Sequence, residues 1–216
     1  MSCTPVEDFS QSLCRPPDGT YPGPGTPDEW WDQFNVNWGF TIYRTFYGSE
    51  SDEQWRRLLQ KITTGAEDEV AVLDGGSDRA NAEIKVLNLF RMDPRSDANA
   101  LDGKTMEDVR QLYLEGYGGE LMNASSNAPR IFLLADERVL ADPELGVLHI
   151  VAADYDPIAA IPRNFRMGPQ RYFGWLTMSP SCVTSLWLAL NDDELSDIGS
   201  RIKQFGPGAW WDPHRV

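Results

Sequence analysis

Val36-Asn-Trp-Gly-Phe-Thr-Ile-Tyr-Arg-Thr-Phe-Tyr47 alternates cleanly along most of its length. Val36, Trp38, Phe40 and Ile42 fall on one face of an extended chain, and Asn37, Gly39, Thr41 and Tyr43 on the other. That period of two marks a strand. Arg44 falls on the apolar face, where a guanidinium needs a carboxylate or several carbonyls because an unpaired buried charge is costly. Downstream, the stretches 130–135 and 147–153 are continuous apolar runs of strand length, which predicts central strands covered on both faces. A third run spans 171–178.

Helix signals sit between these strands. Thr26-Pro-Asp-Glu29 reads as an N-cap, a first-turn proline and two acids, opening a short helix with Trp30, Trp31 and Phe34 turned to the protein body. Ser51-Asp-Glu-Gln54 reads as a capping box for a helix carrying Trp55, Leu58, Leu59 and Ile62, with Gly65 as its stop. Val70–Leu73 fits a short strand or a helical end. Ala80, Ile84, Leu87 and Phe90 fit a helix, while Ile84 with Val86 also fits a strand. Thr105-Met-Glu-Asp108 opens another helix, with Met106, Val109, Leu112 and Tyr113 inward and Gly116 ending it. Ser179-Pro180 starts the last, carrying Val183, Leu186, Trp187 and Leu190.

This irregular interleaving predicts an α+β fold over residues 27–216: one domain, one mostly central sheet, and helices packed mainly on one face. Residues 1–26 read as a flexible or surface-draped arm. Six of the fifteen prolines lie in residues 1–27, a density that argues against helix or central strand there. There is no internal repeat.

Charge sets limits on function. Thirty-three acidic residues against nineteen basic give a net charge of −14, which disfavours phosphate backbones and anionic lipid and leaves cationic partners open. The first ten residues lack the basic and apolar regions of a secretory signal, and no apolar run approaches the length of a membrane span. Cys3, Cys14 and Cys182 make an odd count without metal-type spacing. The expectation is a reduced, cytoplasmic protein without membrane contact. Asn123-Ala-Ser125 is a formal glycosylation sequon that such a compartment leaves unused.

Common mechanisms are missing. There is no phosphate-binding Gly-x-x-x-x-Gly-Lys loop and no Gly-x-Ser-x-Gly elbow, and Gly116-Tyr-Gly-Gly119 lacks the spacing of a dinucleotide loop. No motif calls for a cofactor or metal. Of two histidines, His149 lies inside an apolar run, as a core imidazole bonded to backbone or carboxylate or as a general base. His214 reads as solvated. Cys182 lies near a helix N-terminus, either as a thiol activated by the dipole or as a small core residue.

Carboxylates remain. Asp136-Glu137 follows one predicted central strand and Asp154-Tyr-Asp156 another. Parallel neighbours would gather all four acids at one sheet edge, and an antiparallel hairpin would part them. Met92-Asp-Pro-Arg-Ser-Asp97 adds Asp93, Arg95 and Asp97 on a turn, and Leu101-Asp-Gly103 adds another acid. Crowded carboxylates raise one another's pKa or hold a cation, whether a metal, an amine or a guanidinium. Caps, turns and solvated faces account for the same residues without any site. The tryptophan doublets Trp30-Trp31 and Trp210-Trp211 either line a groove or seal the core.

The wording of Asn37-Trp-Gly-Phe-Thr-Ile-Tyr-Arg-Thr-Phe-Tyr47, Phe90-Arg-Met-Asp-Pro-Arg-Ser-Asp97, Leu101-Asp-Gly103 and Phe132-Leu-Leu-Ala-Asp136 resembles a family of filamentous-fungal proteins, over roughly residues 30–190. More distantly, the chain resembles fungal arginine-containing cyclodipeptide synthases. That resemblance implies condensation of an arginyl group from charged tRNA with a second amino acid to a diketopiperazine, and carries no functional residue onto a position here. A tRNA partner would need a local basic patch, such as Arg56-Arg57 with Lys61, or Arg163, Arg166 and Arg171.

Two expectations follow. In the first, the protein is an enzyme of specialised metabolism acting on a small cationic, amino-acid-like substrate. Asp136, Glu137 and Asp154 bind the cation or act as base, and Tyr43 donates a hydrogen bond. Arg44 orients a carboxylate, while Asp93, Arg95, Asp97 and Asp156 contact substrate. In the second, it is a non-catalytic acidic protein that binds or regulates a basic partner.

Overall fold

Five strands form one mixed sheet in the order β2-β1-β3-β4-β5. The computed structural model describes residues 5–17, 19, 23, 25–122, 130–142, 146–160, 170–202 and 206–213. The sequon at Asn123, the arginines Arg163 and Arg166, and His214 lie outside them.

The strands are β1 (Thr41–Arg44), β2 (Asp93–Arg95), β3 (Ile131–Ala135), β4 (Leu148–Ala152) and β5 (Trp175–Met178). β1 runs parallel to both β2 and β3, whereas β3–β4 and β4–β5 are antiparallel. Helices α3 (Ser51–Ala71) and α4 (Arg79–Leu89) link β1 to β2, and α5 (Ala98–Leu101) and α6 (Met106–Leu114) link β2 to β3. The first crossover contributes to the larger core on one sheet face, the second to a smaller core on the other. The parallel part is therefore wound both ways from β1, with a topological switch point between β1 and β3.

Alternation within the strands explains the two cores. Ile42, Leu133, Ile150 and Leu176 enter the larger core, while Tyr43, Phe132, Leu134 and Val151 enter the smaller. β3 and β4 are buried at every position, as their unbroken apolar runs predict. The larger core also takes residues of α7 (Glu137–Ala141), α8 (Val183–Asp192) and α9 (Leu195–Arg201), so the helices lie mainly on one face. Both sheet edges are blocked. β2 carries Pro94, which has no N–H to offer, and β5 is paired by the tail through Thr177 N–H to the Ala209 carbonyl and Trp211 N–H to the Thr177 carbonyl.

Three local expectations are corrected. The N-terminal arm contains a helix, α1 (Val6–Ser12), with Val6, Phe9 and then Leu13 buried. The prolines flank this segment at 5, 16 and 17, leaving a proline-free stretch with helical apolar spacing. Gly65 does not end α3, which runs to Ala71. Gly65 is the crossing point where the helix meets the Pro180–Cys182 turn, and a Cβ there would stand 2.3 Å from the Ser181 Cα. Ser51 forms no capping box: Glu50 is the N-cap, in a left-handed conformation, and the Ser51 hydroxyl donates to the Gly48 carbonyl. The box predicted at Thr105 is present, with Asp108 as its partner. α2 (Asp28–Asp32) starts one residue later than its cap signal implies.

The Gly65 crossing gives a direct test. Gly65→Leu overpacks a helix against rigid backbone and should cost about 1–3 kcal/mol of stability, read as a lower denaturant midpoint.

Candidate functional site

Antiparallel pairing of β3 and β4 sends their carboxyl ends to opposite edges. Asp136 and Glu137 follow β3 at one edge, and Asp154 and Asp156 follow β4 at the other. Five residues of strand lie between them, about 20 Å at the usual rise. The four acids thus do not form one site, and the joint role for Asp136, Glu137 and Asp154 is replaced by two separate locations.

The Asp154 edge is concave. A cavity of about 680 Å³ is walled by Asp154, Tyr155, Asp156, Tyr172, the Leu190–Ser196 turn, and Ile131 and Ala152 at the strand ends. Asp192, Asp193 and Glu194 join Asp154 and Asp156 there, making five carboxylates. Three of these already have work. Asp156 Oδ1 accepts from the Ile158 and Ala159 N–H groups, Asp193 makes a two-pronged pair with Arg201, and Glu194 accepts from Ser196. Asp154 and Asp192 have no hydrogen-bond or ion-pair partner among the described residues, which leaves their charge facing the cavity.

Tyr155 and Tyr172 form an edge-to-face pair in the wall, centroids 5.7 Å apart. Burial, with Asp154, Tyr155 and Glu194 adding to it against Arg110, pushes the Tyr172 phenol far above its ordinary value, so it stays protonated. Its hydroxyl is buried and unpartnered. Behind the wall, Arg110 donates to the Ala152 and Gly174 carbonyls at 3.0 Å and to Glu107 at 3.2 Å, and lies 5.3 Å from the Tyr155 ring centroid.

At the other edge Asp136 is the N-cap of α7. Its Oδ1 accepts from Val139 N–H, and its Oδ2 lies 3.1 Å from His149 Nε2. This is the core imidazole bonded to a carboxylate. Burial pushes the Asp136 carboxyl up, but the His149 hydrogen bond, the attraction of its ring and the backbone N–H groups of α7 outweigh it and hold the carboxyl below its usual range. A depressed carboxyl adds stability above its unfolded value, near pH 4, that is lost as pH falls through the folded one. Wild-type protein should therefore lose more stability than Asp136→Asn as pH drops below about 4, measured as urea unfolding across pH. Equal losses would deny the interaction. Glu137 is exposed beside it.

None of the remaining predicted residues lines the cavity. Tyr43 is fully buried, its phenol pushed up to about 12 by burial and its hydroxyl unpartnered. It has no surface from which to meet a substrate. Arg44 finds the carbonyl and carboxylate that its position demands: it donates to Phe46 O, Ser51 Oγ and Asp52, and stacks on Tyr47. Arg95 binds Asp93 and the carbonyls of Tyr117 and Glu120, clamping the loop after α6. Asp97 caps α5 and accepts from Tyr117. The helix start does not activate the Cys182 thiol: the N–H groups of Thr184 and Ser185 at the start of α8 already serve Glu69, and burial with that charge pushes the thiol up to about 11.

Arg56 and Arg57 are both held by Glu53, which halves the charge of this part of the predicted basic patch. Among the described residues, no three His, Cys, Asp or Glu side chains gather as a metal site, and no helix is long and apolar enough to cross a membrane.

The sequence signals assign no site role to Asp192-Asp-Glu194, Tyr155 or Tyr172. Their convergence depends on the β4–β5 pairing, which no local spacing encodes. No protein-family model, curated protein or solved structure matches the chain, so its functional reading rests on this geometry.

Proposed function

We propose that the protein is an enzyme acting on a small cationic, amino-acid-like substrate held in the Asp154 cavity. One observation carries the reading: a concavity of substrate size presents two uncommitted carboxylates, Asp154 and Asp192, within a wall of five. A guanidinium suits such a wall, because its planar fork of donors matches paired carboxylates and its face stacks on tyrosine. Asp154 and Asp192 hold the cation in this reading, and Tyr155 and Tyr172 flank it. Asp136 and Glu137 take no part. Arginine-containing cyclodipeptide formation is the reaction proposed for this site. Delivery of the arginyl group by tRNA faces the repulsion of a −14 chain.

Calorimetry with arginine, agmatine, lysine and glutamate tests the binding step. Arginine and agmatine should bind, glutamate should not, and Asp154→Asn should weaken binding by about tenfold or more, as expected for a charge-assisted contact. Equal affinity in Asp154→Asn, or no binding of either guanidinium, would overturn the assignment. Mass spectrometry of bacterial cultures expressing the chain tests the reaction. An arginine-containing cyclic dipeptide, absent from empty-vector and Asp154→Asn cultures, is the expected product.

A further inference from the structure

We propose that His149 and Asp136 form a second ligand site, separate from the acidic cavity, at which His149 Nδ1 accepts a hydrogen bond from a hydroxyl-bearing ligand. Trp175 is its movable cover.

The argument begins with proton placement. A carboxylate only accepts, so in the neutral pair Nε2 carries the hydrogen toward Asp136 Oδ2, 3.1 Å away. Nδ1 is then a bare lone pair. The His149 side chain is 3% exposed, and Nδ1 is buried with no partner. Buried polar atoms nearly always find a partner, so an orphan acceptor needs a cause. The neighbouring hydroxyl is not one. Thr177 faces His149 across the β4–β5 ladder but donates to the Gly208 carbonyl at 2.9 Å.

The carboxylate side of the pair is fixed and wet. Val139 N–H holds Asp136 Oδ1, so Oδ2 keeps its aim at the ring. The Asp136 side chain is 40% exposed. It stands at the carboxyl edge of the parallel strands, on β3 beside the switch point, where open sheets of this winding receive ligands. A carboxylate bonded to one imidazole nitrogen fixes the tautomer and leaves the other nitrogen as a hydrogen-bond acceptor.

Trp175 supplies the cover. Its indole meets the His149 ring edge-on, centroids 5.1 Å apart, and is itself only partly buried. It rests on Gly208, where a Cβ would come within 2.2 Å of the ring. Glycine at that place admits the closed position of the indole. The ligand hydroxyl then donates to the Nδ1 lone pair, and no covalent bond breaks.

Nitrogen-15 NMR of histidine-labelled protein tests this, with His149→Gln to assign the signal against His214. The expected free state has a protonated Nε2 and a bare Nδ1. Titration with glycerol and ethanol should shift Nδ1 saturably in wild type or in Trp175→Ala, and Trp175→Ala should speed carbethoxylation of His149 by diethyl pyrocarbonate. Asp136→Asn should abolish the alcohol-dependent shift. A proton on Nδ1 in the free protein, alcohol-insensitive signals in both wild type and Trp175→Ala, or an unchanged response in Asp136→Asn would each overturn the proposal. None of these outcomes bears on guanidinium binding in the cavity.

Discussion

Trp38→Ala should cost about 3–5 kcal/mol of folding free energy, among the largest effects of any single truncation in the chain. Trp38 is fully buried, and its ring meets Phe9 at 5.0 Å, Phe90 at 4.7 Å and Trp187 at 5.9 Å. It therefore joins α1, the end of α4, the strand entry and α8 at one point. Its indole N–H also donates to the Val86 carbonyl at 2.7 Å, and alanine leaves that carbonyl buried without this donor, an added cost of about 1–3 kcal/mol if no water replaces it. Phe9→Ala should cost a similar about 3–5 kcal/mol, because α1 is held to the body through Val6, Phe9 and Leu13.

The two substitutions share a contact, so their effects should fall short of additive, by about 0.5–1.5 kcal/mol for an aromatic pair. Urea unfolding of the two single variants and the double variant measures this. Additivity within error would mean that α1 and Trp38 are not packed together, and would return the first residues to the loose arm that their prolines suggest.

How far the fold is legible in the sequence depends on the range of the interaction. The unbroken runs in β3 and β4 are local records of sheet burial and are realised, as is the alternation of Trp38, Phe40 and Ile42, although the strand there is only Thr41–Arg44 and Val36 stays partly exposed. Arg44 on an apolar face foretold a carboxylate or carbonyl partner, and it has both, in Asp52 and the Phe46 carbonyl. Signals failed where a tertiary contact overruled a local rule. Gly65 looks like a helix stop until the Ser181 backbone is seen against it. Ser51 looks like a cap until Arg44 and Gly48 claim its hydroxyl. The arm looks like proline-rich coil until the gap between its prolines is read for helical period.

The site was less legible, because it is made by pairing direction. Asp154 and Asp156 were found as loop acids after a strand, but their partners Asp192 and Glu194 lie far along the chain and across the sheet edge. Nothing in either local sequence states whether β3 and β4 run together or oppose. The hairpin decided that Asp136 meets a histidine and Asp154 a cavity.

Arg110→Met should both loosen the fold and spoil the cavity, and that combination separates it from ordinary core damage. The guanidinium is buried and bridges three elements: α6, the end of β4 through Ala152, and the turn before β5 through Gly174. Methionine fills much of the volume but leaves the Ala152 carbonyl without this donor, at about 1–3 kcal/mol, and removes one of two donors from the Gly174 carbonyl, which keeps the Ala152 N–H. Lysine restores the charge with one ammonium in place of the planar fork, so it can serve one carbonyl well and cannot stack flat on Tyr155. Stability should thus rank wild type, then Lys, then Met, with about 2–4 kcal/mol between the extremes.

Gly174 ties this to ligand binding. A Cβ there would strike Tyr155 at 2.3 Å and Arg110 at 2.7 Å, so ring and guanidinium are packed against the same backbone. With Arg110 gone, Tyr155 loses the group that holds it against the wall, and a shift of one ångström is enough to degrade a bound geometry. Arg110→Lys, still folded at 25 °C, should therefore bind agmatine about tenfold more weakly than wild type, a loss of about 1.4 kcal/mol. Calorimetry on Arg110→Lys at a temperature well below its unfolding midpoint measures this directly. Unchanged affinity in a destabilised Arg110→Lys would reduce Arg110 to a brace of the sheet and detach Tyr155 from the ligand.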